Sequence, residues 1–409
     1  MRGKSLHLAL LSALSFTIST PVAFANTLTG LIPDLYAGLD TVSRELVGFI
    51  PSVSRNASVE RAAVGQSVKW HKAPTLAAGN ITPAMTAPEP TDRTIGNDSM
   101  TITKARVVEF GFVGEEERGL NNGGPGALSV QADLFAQALR TLVNEIETDL
   151  SVAAAAGASR AYGTSGTTPF GTNTGETAQL RKILDDNGIA PSERALIIST
   201  SAGAALRTLG QLTKANEAGT TMTLRDGEIL NLNGFSIKET GQPVNVTKGT
   251  AASATTNAAG YAIGATTITL ASAGTGTFVA GDIVSFAGDA NKYLVVTGDA
   301  DVSGGGTIVI AAPGLRKAIA ASATAITTQN SYEVAGIAFQ RQAIQLAARA
   351  PALPASGDAA TDRFMLVDPR SGLPFEVSVY AGYRKVRYEV AMAWGVKAAK
   401  TEGIALLQG

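Results

Sequence analysis

Few side chains in this sequence could move protons or attack a carbon. The 409 residues hold no cysteine and two histidines, His7 and His71. Thiolate nucleophiles, disulfides and cysteine-built metal sites are therefore excluded. A histidine-based triad has one candidate if the N-terminus is removed. That candidate, His71, stands beside Trp70 with no nucleophile at a useful spacing, and reads as a surface or interface residue. Asp299-x-Asp301-x-Ser303-Gly304 matches the opening of a calcium loop, but Ile310 occupies the twelfth position, where a bidentate glutamate is needed. A β-turn accounts for it. Glu115-Glu116-Glu117-Arg118 reads as a solvated strand end. Trp70 and Trp394 have no basic cluster around them and read as packing anchors. The sequence contains no phosphate-binding loop, Gly-x-Ser-x-Gly elbow, His-Glu-x-x-His or dinucleotide fingerprint. The expectation is no catalytic residue, no cofactor, no metal and no enzymatic activity.

The elements that would position such residues must then serve another purpose. Lys and Arg number 33 against 34 Asp and Glu, so no basic face for tight nucleic-acid binding is implied. Only 16% of residues are charged, and a chain exposing so little charge gains from burying surface against partners. The organising stretch is Leu128 to Ala156. Val130, Leu134, Ala138, Leu142, Ile146 and Leu150 recur every fourth residue, and Phe135, Leu139 and Val143 form a second row. This spacing predicts one long amphipathic helix of roughly 40 Å, with Ser129 as N-cap, Gly157 closing it, and Glu147 off the apolar face.

Around this spine the rest reads in order. Residues 1–25 have the basic, apolar and small-x-small pattern of a secretory signal. Asp34 to Phe49 predicts an amphipathic helix with no neighbour of its own. Residues 64–113 predict a protruding hairpin, two strands around a long tip without helical period and without a core of its own. Ala178–Asn187 and Thr200–Leu212 predict helices, Arg194–Ser199 a buried strand, and Glu228–Glu239 a hairpin turning at Asn233-Gly234. Residues 244–332 carry eight charges and predict strands at Thr266–Leu270, Ile283–Ala287, Lys292–Thr297 and Thr307–Ala311, a small all-β unit inserted in the preceding domain. Gln340–Ala350 predicts a helix. The remainder predicts strands at Arg363–Pro369, Phe375–Tyr380, Lys385–Lys397 and Ile404–Leu407.

This order of parts resembles the tailed-bacteriophage major capsid proteins of the Hong Kong 97-like fold. The inserted β unit resembles the Salmonella short-tailed phage coat branch. The likeness is carried by NTLTGLIPDLYAGLDTVSRELVGFIPSVSR, VGQSVKWHKAPTLAAGNITP, ATTITLASAGTGTFVAGDIVSFAGDANKYLVVTG and DPRSGLPFEVSVYAGYRKVRYEVAMAWGVKAAK, and spans residues 26–409. It implies an α+β fold with a spine helix across a β sheet, an extended hairpin loop, an axial α+β domain and an inserted small β-barrel. The implied boundaries are an N-terminal arm at 26–60, an extended loop at 61–106, a peripheral domain at 107–160 and 360–409, an axial domain at 161–243 and 333–359, and an insertion at 244–332. It implies pentamers and hexamers of an icosahedral procapsid in the host cytoplasm, a scaffolding protein, a portal, enclosed double-stranded DNA contacted non-specifically, and no membrane. Intersubunit contacts would fall on Trp70, His71, Lys72, Ile81, Met85 and Ile95. Lys69, Lys72 and Lys104 lie in the expected hairpin, but no partner Asn or catalytic Glu is marked, so no crosslink is expected. Residues 1–25 depart from this pattern and read as a wrongly placed start or a processed extension. The rival reading is a secreted surface-layer or adhesin-like β-rich protein, exported by those residues.

Overall fold

The computed structural model describes residues 46–57, 60–72, 96–122, 124, 126–213, 231–367 and 371–409, with positions 78, 80, 83 and 85 between. The signal-like segment and most of the helix expected over 34–49 lie outside these residues. Leu46–Phe49, the end of that expected helix, is not helical.

Two sheets flank one long helix. The helix α2 (Ala127–Ala156) has the predicted length. Its start differs from the expectation: the N-cap is Gly126, at φ 90°, and Ser129 lies inside the first turn. The Asn121 side chain accepts from the Ala127 N–H at 3.0 Å, so a residue from the preceding helix does the capping. That helix, α1 (Gly114–Asn121), replaces the strand end expected at Glu115–Arg118. The Glu116 carboxylate accepts the Val113 N–H, and the three acidic residues of the first turn suit the positive end of the helix dipole.

Among the described residues the smaller sheet has six strands: β1 (Ser54–Ala57), β4 (Lys104–Val113), β16 (Ile344–Arg349), β17 (Asp362–Val367), β18 (Pro374–Gly382) and β19 (Lys385–Ala398). The fourteen residues of β19 form its centre. β4 pairs along one side of β19. β18 and β16 lie end to end along the other, with β17 outside β18 and β1 outside β16. α2 crosses one face. Phe135 meets Phe110 and Tyr388 edge-on at 4.8 and 5.6 Å, and Leu142, Ile146 and Leu150 are buried with Met392 and Trp394.

β16 corrects the helix expected at Gln340–Ala350. Ala, Leu, Gln and Arg favour helices, but Ile344–Arg349 runs between β1 and β19 and is almost wholly buried. Ladder pairing on both sides outweighs a local preference of a few tenths of a kcal/mol per residue. The second strand of the hairpin expected over residues 64–113 is also divided. Gly96–Thr101 (β3) pairs with β2 (Ser67–Lys72), while β4 joins the sheet.

The larger sheet, twelve-stranded among the described residues, is built on β6 (Arg194–Ser199), β15 (Tyr332–Gln340), β20 (Ile404–Gln408) and β5 (Arg160–Gly163). β20 runs between β15 and β5. Residues 404–408 therefore belong here, although 360–409 was expected to be peripheral, and β16 leaves the expected axial stretch 333–359 for the smaller sheet. The hairpin β7 (Asn231–Leu232) and β8 (Phe235–Thr240) turns at Asn233-Gly234 with φ 50° and 84°, the left-handed pair such a turn requires. Helices α3 (Gly175–Asp186) and α4 (Thr200–Thr208) cover one face over Leu180, Leu196, Leu206 and Phe235. The helix expected at Thr200–Leu212 breaks at Leu209 into α4 and a short α5 (Gly210–Thr213).

The two ends of the 244–332 stretch lie side by side, Val246 opposite Tyr332. Inside it β10 (Thr267–Leu270), β13 (Gly306–Ile310), β12 (Lys292–Thr297), β11 (Ile283–Phe286) and β14 (Ile326–Thr328) form a strip of antiparallel strands. Ile268, Phe286, Tyr293, Val295 and Ile308 make a separate core under it. The strip is continuous with the parent sheet, because β12 pairs with β5 at Lys292–Ala161, and Ile283 faces the main core.

Candidate functional site

Of the residues expected at a partner surface, Trp70, His71 and Lys72 sit on β2 of the β2–β3 ribbon. The ribbon has a small core at its root. Val68, Met100 and Ile102 are buried on Ala347 of β16 and Ala393 of β19, a contact not expected from the sequence. Gly395 makes this crossing possible: a Cβ there would lie 2.2 Å from the Thr101 carbonyl oxygen. Further out, Lys397 Nζ donates to Asp98 Oδ1 at 2.5 Å and to the Ser99 carbonyl at 2.7 Å. The same ammonium stands 5.7 Å from the Trp70 ring centroid. Trp70 is therefore half-buried within its own chain. His71 is exposed on β2, Lys72 ends that strand, and Met85 is fully exposed. Ile81 and Ile95 lie outside the described residues. Lys104, expected in the hairpin, instead begins β4 and pairs with Glu145 and Asp149 of α2 at 3.0 and 2.9 Å. Asp149 also accepts from the Trp394 indole at 2.8 Å, which fixes Trp394 as the packing anchor expected.

A second site was missed. Glu147 is 1% exposed and belongs to the buried side of α2, against the expectation. Its carboxylate accepts three consecutive backbone N–H groups, from Gly48 at 2.6 Å, Phe49 at 2.8 Å and Ile50 at 3.1 Å. Burial pushes this carboxyl above its ordinary value, against the pull of the three N–H groups and the Thr240 side chain. Phe49 stacks on Phe339 of β15 at 5.9 Å, and Phe49, Ile50 and Val53 are buried between the two sheets. Residues 46–57 thus dock on their own subunit. Gly48 is required here, since a Cβ would stand 2.8 Å from the Glu239 carbonyl oxygen. The signal was present in the sequence: Phe135, Leu139, Val143, Glu147 and Ser151 continue one four-residue row, and Ser151 is buried too, donating to the Gln242 carbonyl at 3.0 Å.

Other polar groups form structural pairs. Arg160, 2% exposed, donates to the Ile183 carbonyl, Asn187 and Asn291, joining α3 to the inserted strands. Asp299 and Asp301 accept N–H groups of their own turn, and Asp301 caps one turn of 3-10 helix at Val302–Gly304 where a β-turn was expected. A cleft of about 440 Å³ beside Thr168, Ser201 and Asn245 has Tyr332 and Glu333 as its ionisable side chains. Among the described residues no cluster of His, Asp or Glu has the geometry of a metal site, and no helix is long and apolar enough to cross a membrane.

No protein family's sequence profile matches the chain, and no curated protein does. Among solved structures, the chain is similar to a chain of Mycobacterium phage Che8 at 15% identity and a TM-score of 0.44, covering 92% of this chain and 96% of that one. It is also similar to the capsid of cyanophage P-SCSP1u, at 11% identity and a TM-score of 0.48, covering 90% and 89%. A third likeness is to the mature capsid of bacteriophage PhiM1, at 10% identity and a TM-score of 0.45, again covering 90% and 89%. At these identities and scores they carry no residue role to this chain.

Proposed function

We propose that this chain is a structural subunit of an icosahedral phage head, assembling as pentamers and hexamers of Hong Kong 97-like subunits around packaged DNA. The carrying observation is the ribbon. Two strands rest on the body at their root and through Lys397, the outer strand β2 exposes Lys69 and His71, and Met85 in the connection is fully exposed. A monomer gains nothing from such an arm, whereas a lattice of identical copies gives each arm a neighbour. Lys104, Glu147, Asp149 and Arg160 are engaged in holding the elements of the body together, which suits a structural role. The domain boundaries, the inserted barrel, the scaffolding protein and the portal belong to this reading through the sequence resemblance. The test is electron microscopy of the purified chain, expressed whole and from Asn26 onward. Closed shells or open tubes of pentamers and hexamers are expected. Stable monomers or flat lattices would favour the secreted surface-layer alternative.

A further inference from the structure

Three cations gather where the chain passes from the larger sheet to the smaller one. Arg341 opens the 3-10 turn Arg341–Ala343, which joins β15 to β16. Arg55 lies on β1, the outer neighbour of β16. Lys238 lies on β8 of the larger sheet and donates to the hydroxyl of Ser52, just ahead of β1, at 3.1 Å. Three separate segments thus bring one positive charge each to the junction of the sheets.

Their partners do not neutralise them. Arg55 Nη1 donates to the carbonyls of Ser371 and Gly372 at 3.0 and 3.5 Å, both uncharged acceptors. Lys238 has only a hydroxyl, and among the described residues neither cation stands in an ion pair with a carboxylate. Arg341 has Glu193 at 3.3 Å, but the two side chains are 44% and 53% exposed, and such a surface pair contributes little. Glu147, whose charge also reaches Lys238, turns its oxygens to Gly48, Phe49 and Ile50. Burial holds the Lys238 ammonium below its ordinary value, and Arg341 and Arg55 press it the same way. Like charges this close repel one another until an anion joins them. Donors remain for one: an ammonium has three and a guanidinium five. Donors converging from three segments suit a tetrahedral oxyanion with several acceptor oxygens better than a flat carboxylate.

We propose that Arg55, Lys238 and Arg341 form a seat for a phosphate group. The inference stands apart from the capsid reading, because it needs only the three cations and their junction. A free phosphate and the backbone of a nucleic acid share this chemistry, and two probes separate them.

Binding to the full chain, before any assembly, is measured with sodium pyrophosphate and with a fluorescent DNA duplex over a series of salt concentrations. Arg55→Gln and Arg341→Gln each remove an exposed guanidinium and leave the backbone pairing in place. Each is expected to weaken binding by about fivefold and, for the duplex, to lower the slope of log affinity against log salt by about one. Arg118→Gln, exposed on α1, is expected to change neither. Binding of pyrophosphate alone assigns the seat to a free phosphate, and binding of the duplex with the lowered slope assigns it to a nucleic-acid backbone. Failure of both probes to bind, or equal losses from all three substitutions, would overturn the seat. Shell formation by the same preparations is read separately, so the capsid reading stands or falls on its own result.

Discussion

At the scale of single residues, Glu147 and Gly395 hold positions with little tolerance. Glu147 satisfies three buried N–H groups at once. Glu147→Ala leaves them without acceptors at about 1–3 kcal/mol each, a large part of a typical stability of about 5–15 kcal/mol. Chemical denaturation should show a loss of several kcal/mol, and an unchanged midpoint would refute the docking of residues 48–50. The same residue sets a pH dependence. Its carboxyl is held above the ordinary value by burial, so the folded chain binds a proton more readily than the unfolded one. That contribution to stability is full below the ordinary carboxyl range and is lost as pH rises through the raised value. Glu147→Gln should remove this slope from a plot of unfolding free energy against pH. Gly395→Ala drives a methyl group against the Thr101 carbonyl oxygen. The ribbon root should lift, with exchange at Gly96–Thr101 faster by about tenfold and β18 unaffected. Equal exchange in both forms would show that the crossing has room to spare.

At the scale of elements, legibility in the sequence followed how far local pattern and tertiary contact agree. α2, β18 and β19 were legible because their apolar spacing matches their buried faces, and the β7–β8 hairpin because Asn233-Gly234 demands its turn. β16 was not, because helix-forming residues are held in a ladder by β1 and β19, neighbours remote in sequence. The second face of α2 was not, because a glutamate and a serine on an apolar row read as the row's end until the chain around Phe49 is seen to cover them. Of the candidate contact residues, Trp70 proved tied to its own Lys397, a partner 327 positions away (397 − 70) that no local pattern could signal. The apolar row itself is a firm expectation. Leu142→Asp places a carboxylate where nothing can pair with it, at a cost of several kcal/mol, and should leave the chain insoluble. A soluble Leu142→Asp chain with native circular dichroism would contradict the assigned face. Excising residues 74–94 between the ribbon strands should leave the body folded and abolish shells; loss of the folded signal would make that connection part of the body.

At the scale of the whole molecule, the separate core beneath β10–β14 should let residues 244–332 fold alone into a chain with a dispersed amide spectrum. Broadening confined to Lys292 and Tyr293, which lose β5, is expected. A random-coil spectrum would make the strip dependent on its parent sheet. The placement of β20 bears on the order in which the protein can be made. Ile404–Gln408 fills the slot between β15 and β5, and all five residues are buried. Every other strand of that sheet leaves the ribosome first, yet β5 and β15 have nothing between them until these five residues arrive. A nascent chain therefore carries an open slot in this sheet until residues 404–408 have been made. On the proposed capsid reading, a copy whose residues 404–408 are not yet made lacks the finished body on which its ribbon stands, and does not join a shell.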